Sequence, residues 1–215
     1  MTSWHWLGWG VAIVMLIATF PREFLPKLKS DKPYQHLVFA TAVFLFVLWS
    51  LQAGVRDGLS IHFLGVTVLV LSHGWRIANC ICLAPTALLV AFGLLSLGDA
   101  GAFAVTSFLL PGLFSYLVFL LSYQYLARHL FIYIFVAGFI NAALTMVLSM
   151  LLTSLWLWME GRYPWETISH DYLQLSLLVW FPEALMNGMA ITLMAVYRPH
   201  WLRTFYDREY LSPER

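Results

Sequence analysis

Residues 130–159 read LFIYIFVAGFINAALTMVLSMLLTSLWLWM, a run without one Asp, Glu, Lys or Arg. A helix that is apolar on every face has no use for water, and about 20 such residues cross the roughly 30 Å hydrocarbon core of a bilayer. This one run therefore assigns the chain to the membrane. The rest of the 215 residues agree: 61% are hydrophobic and 11% charged, whereas soluble domains carry about a quarter charged residues. Working outward from it, six more apolar stretches stand out, at Trp4–Phe20, His36–Ala53, Leu59–Leu71, Ile77–Leu97, Phe103–Tyr123 and Tyr172–Val196. The reading is an all-α, polytopic bundle of seven transmembrane helices forming one domain over 1–215. Its third span is too short to cross alone, which is tolerated where irregular backbone lines a cavity enclosed by protein.

Charge orients the bundle. Arg22, Lys27, Lys29 and Lys32 follow the first run, Arg76 the third, Arg128 the fifth, and Arg198, Arg203, Arg208 and Arg215 the seventh. Only Arg56 and Arg162 stand in the alternate loops. Since basic residues are retained on the cytoplasmic side, the N-terminus is expected outside and the tail 198–215 in the cytoplasm of a bacterium, with the chain in its inner membrane. That tail is amphipathic and mixed in charge, suited to the inner membrane surface or a cytosolic partner. Trp4, Trp6, Trp9, Trp75, Trp165 and Trp201 lie near span ends, as interfacial anchors do. No basic run points to nucleic acid. Cys80 and Cys82 stand too close for a useful bridge, and the first run lacks the basic start and cleavage site of a secretory signal.

Ionisable groups near a membrane need a reason. His5, His62, His170, Asp57, Asp99 and Asp171 fall on the expected outer side. Imidazoles and carboxylates converging from separate helices make a transition-metal site, so His62, His5, Asp99 and His170 are the candidate ligands. In Phe181-Pro182-Glu183-Ala184-Leu185-Met186-Asn187-Gly188, Glu183 and Asn187 are four apart and share a helix face. Asn141, in the sixth span, is expected to bond to them. This trio reads either as polar glue between helices or as a relay coupled to movement. The eight methionines read as packing. With no phosphate-binding Gly-x-x-x-x-Gly-Lys loop, His-Glu-x-x-His pair or nucleophile elbow, the chain reads as no enzyme and supplies no ATP-derived energy itself. A membrane redox or haem protein and an assembly scaffold remain as alternative readings.

Three motifs between Gly58 and Pro111 resemble the substrate-binding membrane subunit of cobalt and nickel energy-coupling-factor transporters, the CbiM/NikM type. Ile61-His62-Phe63-Leu64-Gly65-Val66 is similar to that family's histidine-apolar-Leu-Gly motif, His73-Gly74-Trp75-Arg76 to its Gly-Pro-Trp corner, and Leu97-Gly98-Asp99-Ala100-Gly101 to its Gly-Asp-Gly-Gly turn. The resemblance implies a seven-span subunit that captures a divalent metal from outside, with His62 as a ligand and a coupling subunit and ATPase as partners. Family members begin Met-His and chelate with that terminus; this chain begins Met1-Thr2-Ser3-Trp4-His5, so His5 would have to approach His62 by an inward fold of the terminus. The resemblance favours cobalt or nickel as cargo, and the looser donor set admits zinc or copper.

Overall fold

The computed structural model describes residues 2–56, 59–206 and 210; Asp57, Arg208 and Arg215 lie outside the described residues. The fold is mostly helical. Helix α1 (Ser3–Thr19) starts at a capping box in which the Thr2 side chain takes the His5 N–H. It ends just before Pro21, and α2 (Phe24–Ser30) leaves at a bend of 71°. The Asp31 side chain accepts from Tyr34 N at 3.1 Å and, with Pro33 in the first turn, starts α3 (Lys32–Ser50).

A two-stranded antiparallel hairpin follows, β1 (Ala53–Arg56) and β2 (Leu59–Ile61). After a corner at 62–65 come α4 (Val66–His73) and α5 (Trp75–Ala91). Helix α6 (Ala100–Ala104) passes through a π-helical turn, Val105–Leu109, into α7 (Leu110–Tyr125). Helix α8 (Leu130–Ile132) passes likewise through Tyr133–Ile140 into α9 (Asn141–Met159). The last elements are α10 (Trp165–Asp171) and α11 (Ser176–Tyr197).

Among the described residues four helices are long and apolar enough to cross a membrane, five if the bent pair α1–α2 is one broken span; α5 is a shorter apolar helix. The third expected span, Leu59–Leu71, is no continuous helix. It is a strand, a corner and an eight-residue helix. Gly65 sits in the left-handed region at φ 63° and interrupts it, and a Cβ there would stand 3.2 Å from Leu48 Cδ2. Within the tail, Leu202, Thr204 and Phe205 are buried. Arg203 N and Thr204 N donate to Ser72 O and Leu71 O, giving partners to carbonyls that the end of α4 leaves without helical ones.

Helix α1 packs on α6, and the approach is backbone to backbone. A Cβ on Gly8 would lie 2.8 Å from Ala102 N, and one on Gly101 would overlap the backbone of Gly8 and Trp9. No rotamer change relieves a clash with main chain. Gly101→Val is expected to cost more than the roughly 1–3 kcal/mol of ordinary overpacking, read as a fall in the melting temperature of the purified protein. An unchanged melting temperature would show that α1 is free to slide.

Candidate metal-capture site

A cavity of about 430 Å³ opens at the end of the bundle where α1 begins. Its inner wall is His62, Trp49, Phe103, Thr106, Met146 and Met150, while Arg56, Asp99, Glu160 and Arg162 supply its charges. The His62 ring stacks on Phe103 at 5.4 Å and meets Trp49 edge-on at 6.2 Å. These rings fix the imidazole plane and shield it. Its Nε2 is buried and has no hydrogen-bond partner. A buried polar atom left so costs about 1–3 kcal/mol.

The corner that carries His62 is built from far along the chain. Glu183 Oε2 accepts from Leu64 N and Oε1 from Gly65 N, both at 2.9 Å. Asn187 Oδ1 accepts from Val68 N at 3.0 Å, and Asn187 Nδ2 donates to Glu183 Oε1 at 2.8 Å. Two side chains of α11 thus take the amide hydrogens that the start of α4 cannot use within itself. From α3, Trp49 Nε1 donates to Leu64 O at 3.0 Å. The residues four apart in span seven hold the histidine loop in place. Asn141 does not join them. Its Nδ2 donates to Ser115 O, Ser115 Oγ and Ala137 O, tying α9 to α7, because it stands where the π-helical turn of Tyr133–Ile140 ends.

His5 and Asp99, read separately as candidate ligands, come together. His5 Nδ1 accepts from Thr2 N at 2.9 Å, which places the ring proton on Nε2. That nitrogen lies 3.5 Å from Asp99 Oδ1 and 3.8 Å from Glu160 Oε1. Arg162 Nη2 sits between the same carboxylates, 2.7 Å from Asp99 and 3.1 Å from Glu160. In this arrangement both nitrogens of His5 are engaged. His170 is 77% exposed and pairs with Asp171 at 3.4 Å, and it does not line the cavity. Among the described residues no three His, Cys, Asp or Glu side chains converge as a metal cluster.

Burial acts to raise the pKa of Asp99, but hydrogen bonds from Arg162 and Ser96 and the charges of Arg162 and His5 outweigh it and hold the group below 3.8. A carboxyl whose pKa falls on folding stabilises the fold above its unfolded value, and that stabilisation is lost as pH drops through the folded one. The melting temperature is therefore expected to show an added fall below about pH 4 that Asp99→Asn does not share. Parallel profiles for the two proteins would remove Asp99 from the cluster's stability.

Met146 and Met150 stand four apart in the 130–159 run and so share the face that meets the cavity. The π-helical turn Val105–Leu109 places Thr106 in the same wall, and its carbonyl accepts from Ser149 Oγ at 2.8 Å. Such turns are frequent at functional sites.

Residues 1–201 match the family described as CbiM, cobalt uptake substrate-specific transmembrane region. This chain belongs to that family. It is a multi-pass membrane protein of the CbiM type, the substrate-binding transmembrane component of cobalt and nickel energy-coupling-factor transporters. A crystal structure of a truncated transition-metal transporter has the same fold, with a TM-score of 0.71 over 90% of this chain and 94% of that one at 15% identity. No curated protein matches the sequence.

Proposed function

We propose that this CbiM-type chain receives a divalent transition metal, cobalt or nickel, from the outer side of a bacterial inner membrane, with His62 Nε2 as its ligand inside the bundle. The observations that carry the reading are a buried His62 Nε2 without a hydrogen-bond partner and the place of the His62 side chain on the wall of an open cavity. In this reading the chain crosses seven times with its N-terminus outside. The corner and α4 together make the third crossing, which sets the cavity on the outer face and Arg76, Arg128, Arg198 and Arg203 on the inner one. Lacking any nucleotide-binding loop among its motifs, it works with a coupling subunit and an ATPase. The His5–Asp99–Glu160–Arg162 cluster closes the cavity's edge, and the terminus takes part through that cluster.

Met146 and Met150 favour a second reading, monovalent copper, because thioethers and imidazole suit a soft ion with few ligands. Calorimetric titration of the purified protein with Co(II), Ni(II), Zn(II) and Cu(I) separates the two. Saturable binding of Co(II) or Ni(II) that is unaffected by Met146→Leu/Met150→Leu supports the first. Binding of Cu(I) alone, weakened by that double variant, supports the second and overturns the first.

A further inference from the structure

A second cavity, of about 620 Å³, lies at the other end of α4 from the His62 corner. The start of α5, the second half of α7 and the tail beyond α11 make its wall. Its described charged residues are Arg76, Arg203 and Glu23. Arg203 Nη2 stands 3.9 Å from Glu23 Oε1, and both side chains are more than half exposed, so this pair is weak. Arg76 meets no carboxylate among the described residues; its guanidinium lies 5.6 Å from the centre of the Trp75 ring. Two cations therefore share one cavity with a single, loosely held carboxylate. Local backbone brings them there. Arg203 N donates to Ser72 O, and the Arg203 side chain passes Gly74, where a Cβ would stand 3.7 Å from its Cδ and 3.8 Å from Nη1. Gly74 also starts α5 without a side-chain cap, so the partial positive charge of that helix end adds to the two guanidiniums.

Two guanidiniums present planar forks of N–H donors that suit the oxygens of a phosphate. The remainder of the wall suits something else. Tyr116, Phe119 and Leu120 line it from α7, and on that helix Leu117, Leu120 and Leu121 are 47%, 38% and 56% exposed. In a helix long and apolar enough to span, leucines exposed in this way face acyl chains. A cationic seat thus adjoins an edge that faces hydrocarbon. An inorganic anion would use only the first half, whereas a phospholipid uses both. Basic pockets between helices at the cytoplasmic surface are where anionic headgroups bind.

Resting on the orientation proposed above, which sets this cavity at the inner membrane surface, we propose that it binds an anionic phospholipid of the inner leaflet. Arg76 and Arg203 hold the phosphate, and an acyl chain lies along the Leu120 side of α7. The lipid joins the tail to α5 and α7, next to the end of α4. Native mass spectrometry of the full chain in detergent, titrated with phosphatidylglycerol or phosphatidylcholine, measures the affinity of the first bound lipid. Phosphatidylglycerol is expected to bind about tenfold tighter. Arg76→Gln/Arg203→Gln is expected to remove that preference. Lys29→Gln/Lys32→Gln takes the same charge from the same expected side of the membrane, but neither lysine lines the cavity, and the preference is expected to survive it. Both substituted pairs should keep the melting temperature of the unaltered protein in lipid-free detergent. Inorganic phosphate is expected not to displace phosphatidylglycerol. Equal affinities for the two lipids, a preference that persists without the two arginines, or an equal loss in the lysine variant overturns the proposal. Displacement by inorganic phosphate overturns it too, making the seat one for a free anion. None of these results bears on metal binding at His62, which is read separately by calorimetry.

Discussion

Replacing Glu183 by alanine is expected to weaken metal binding by about 10- to 100-fold, although Glu183 does not itself touch the metal. The substitution removes the acceptors of Leu64 N, Gly65 N and Asn187 Nδ2 together. Leaving two amide hydrogens unpaired at a buried corner costs roughly 3 kcal/mol or more, and the chain relieves this by moving the corner rather than by keeping it. His62 stands two residues before Leu64, so its ring leaves Phe103 and Trp49. A support of this kind is worth about 10- to 100-fold in metal affinity. Glu183→Gln keeps the shape and one good acceptor, but turns an amide toward the second N–H, and its loss is expected to fall between the two. Affinity by calorimetry and melting temperature by fluorescence check both points. If Glu183→Ala binds metal as the unaltered protein does, the corner is held by Trp49 and Asn187 alone.

His62→Ala carries the second large effect and the opposite signature. The imidazole makes ring contacts but no hydrogen bond through Nε2, so its removal strips a ligand without stripping a support. Affinity is expected to fall by about a hundredfold or more. Stability should change little, because the lost packing is offset by removal of a buried atom with no partner. Loss of affinity together with a large fall in melting temperature would instead make His62 a packing residue.

The two variants divide what the sequence shows from what it hides. Runs of apolar residues are a local signal, which is why α3, α7, α9 and α11 occupy the stretches read as spans. The corner at 62–65 is not local. It exists because Glu183, 118 residues from Gly65, takes its amides while Asn187 takes that of Val68 in the first turn of α4, and nothing in Leu59–Leu71 itself announces a break except Gly65. Glu183 and Asn187 were legible as a polar face of span seven; what they hold was not. His5 carries a local signal that goes unread, a Thr2-to-His5 capping box that engages Nδ1. Met146 and Met150 pass unnoticed because thioethers in an apolar run look the same whether they fill a core or line a cavity. The pairing of Arg162 with Asp99, 63 residues apart, has no sequence signature at all.

In the function proposed above, the metal rests on His62. X-ray absorption at the nickel edge of the protein loaded with Ni(II), and of His62→Ala loaded the same way, tests it most directly. Imidazole scattering around nickel is expected in the first spectrum, and its disappearance, with the bound metal, in the second. Identical first-shell spectra from the two proteins, with nickel retained in both, would contradict it.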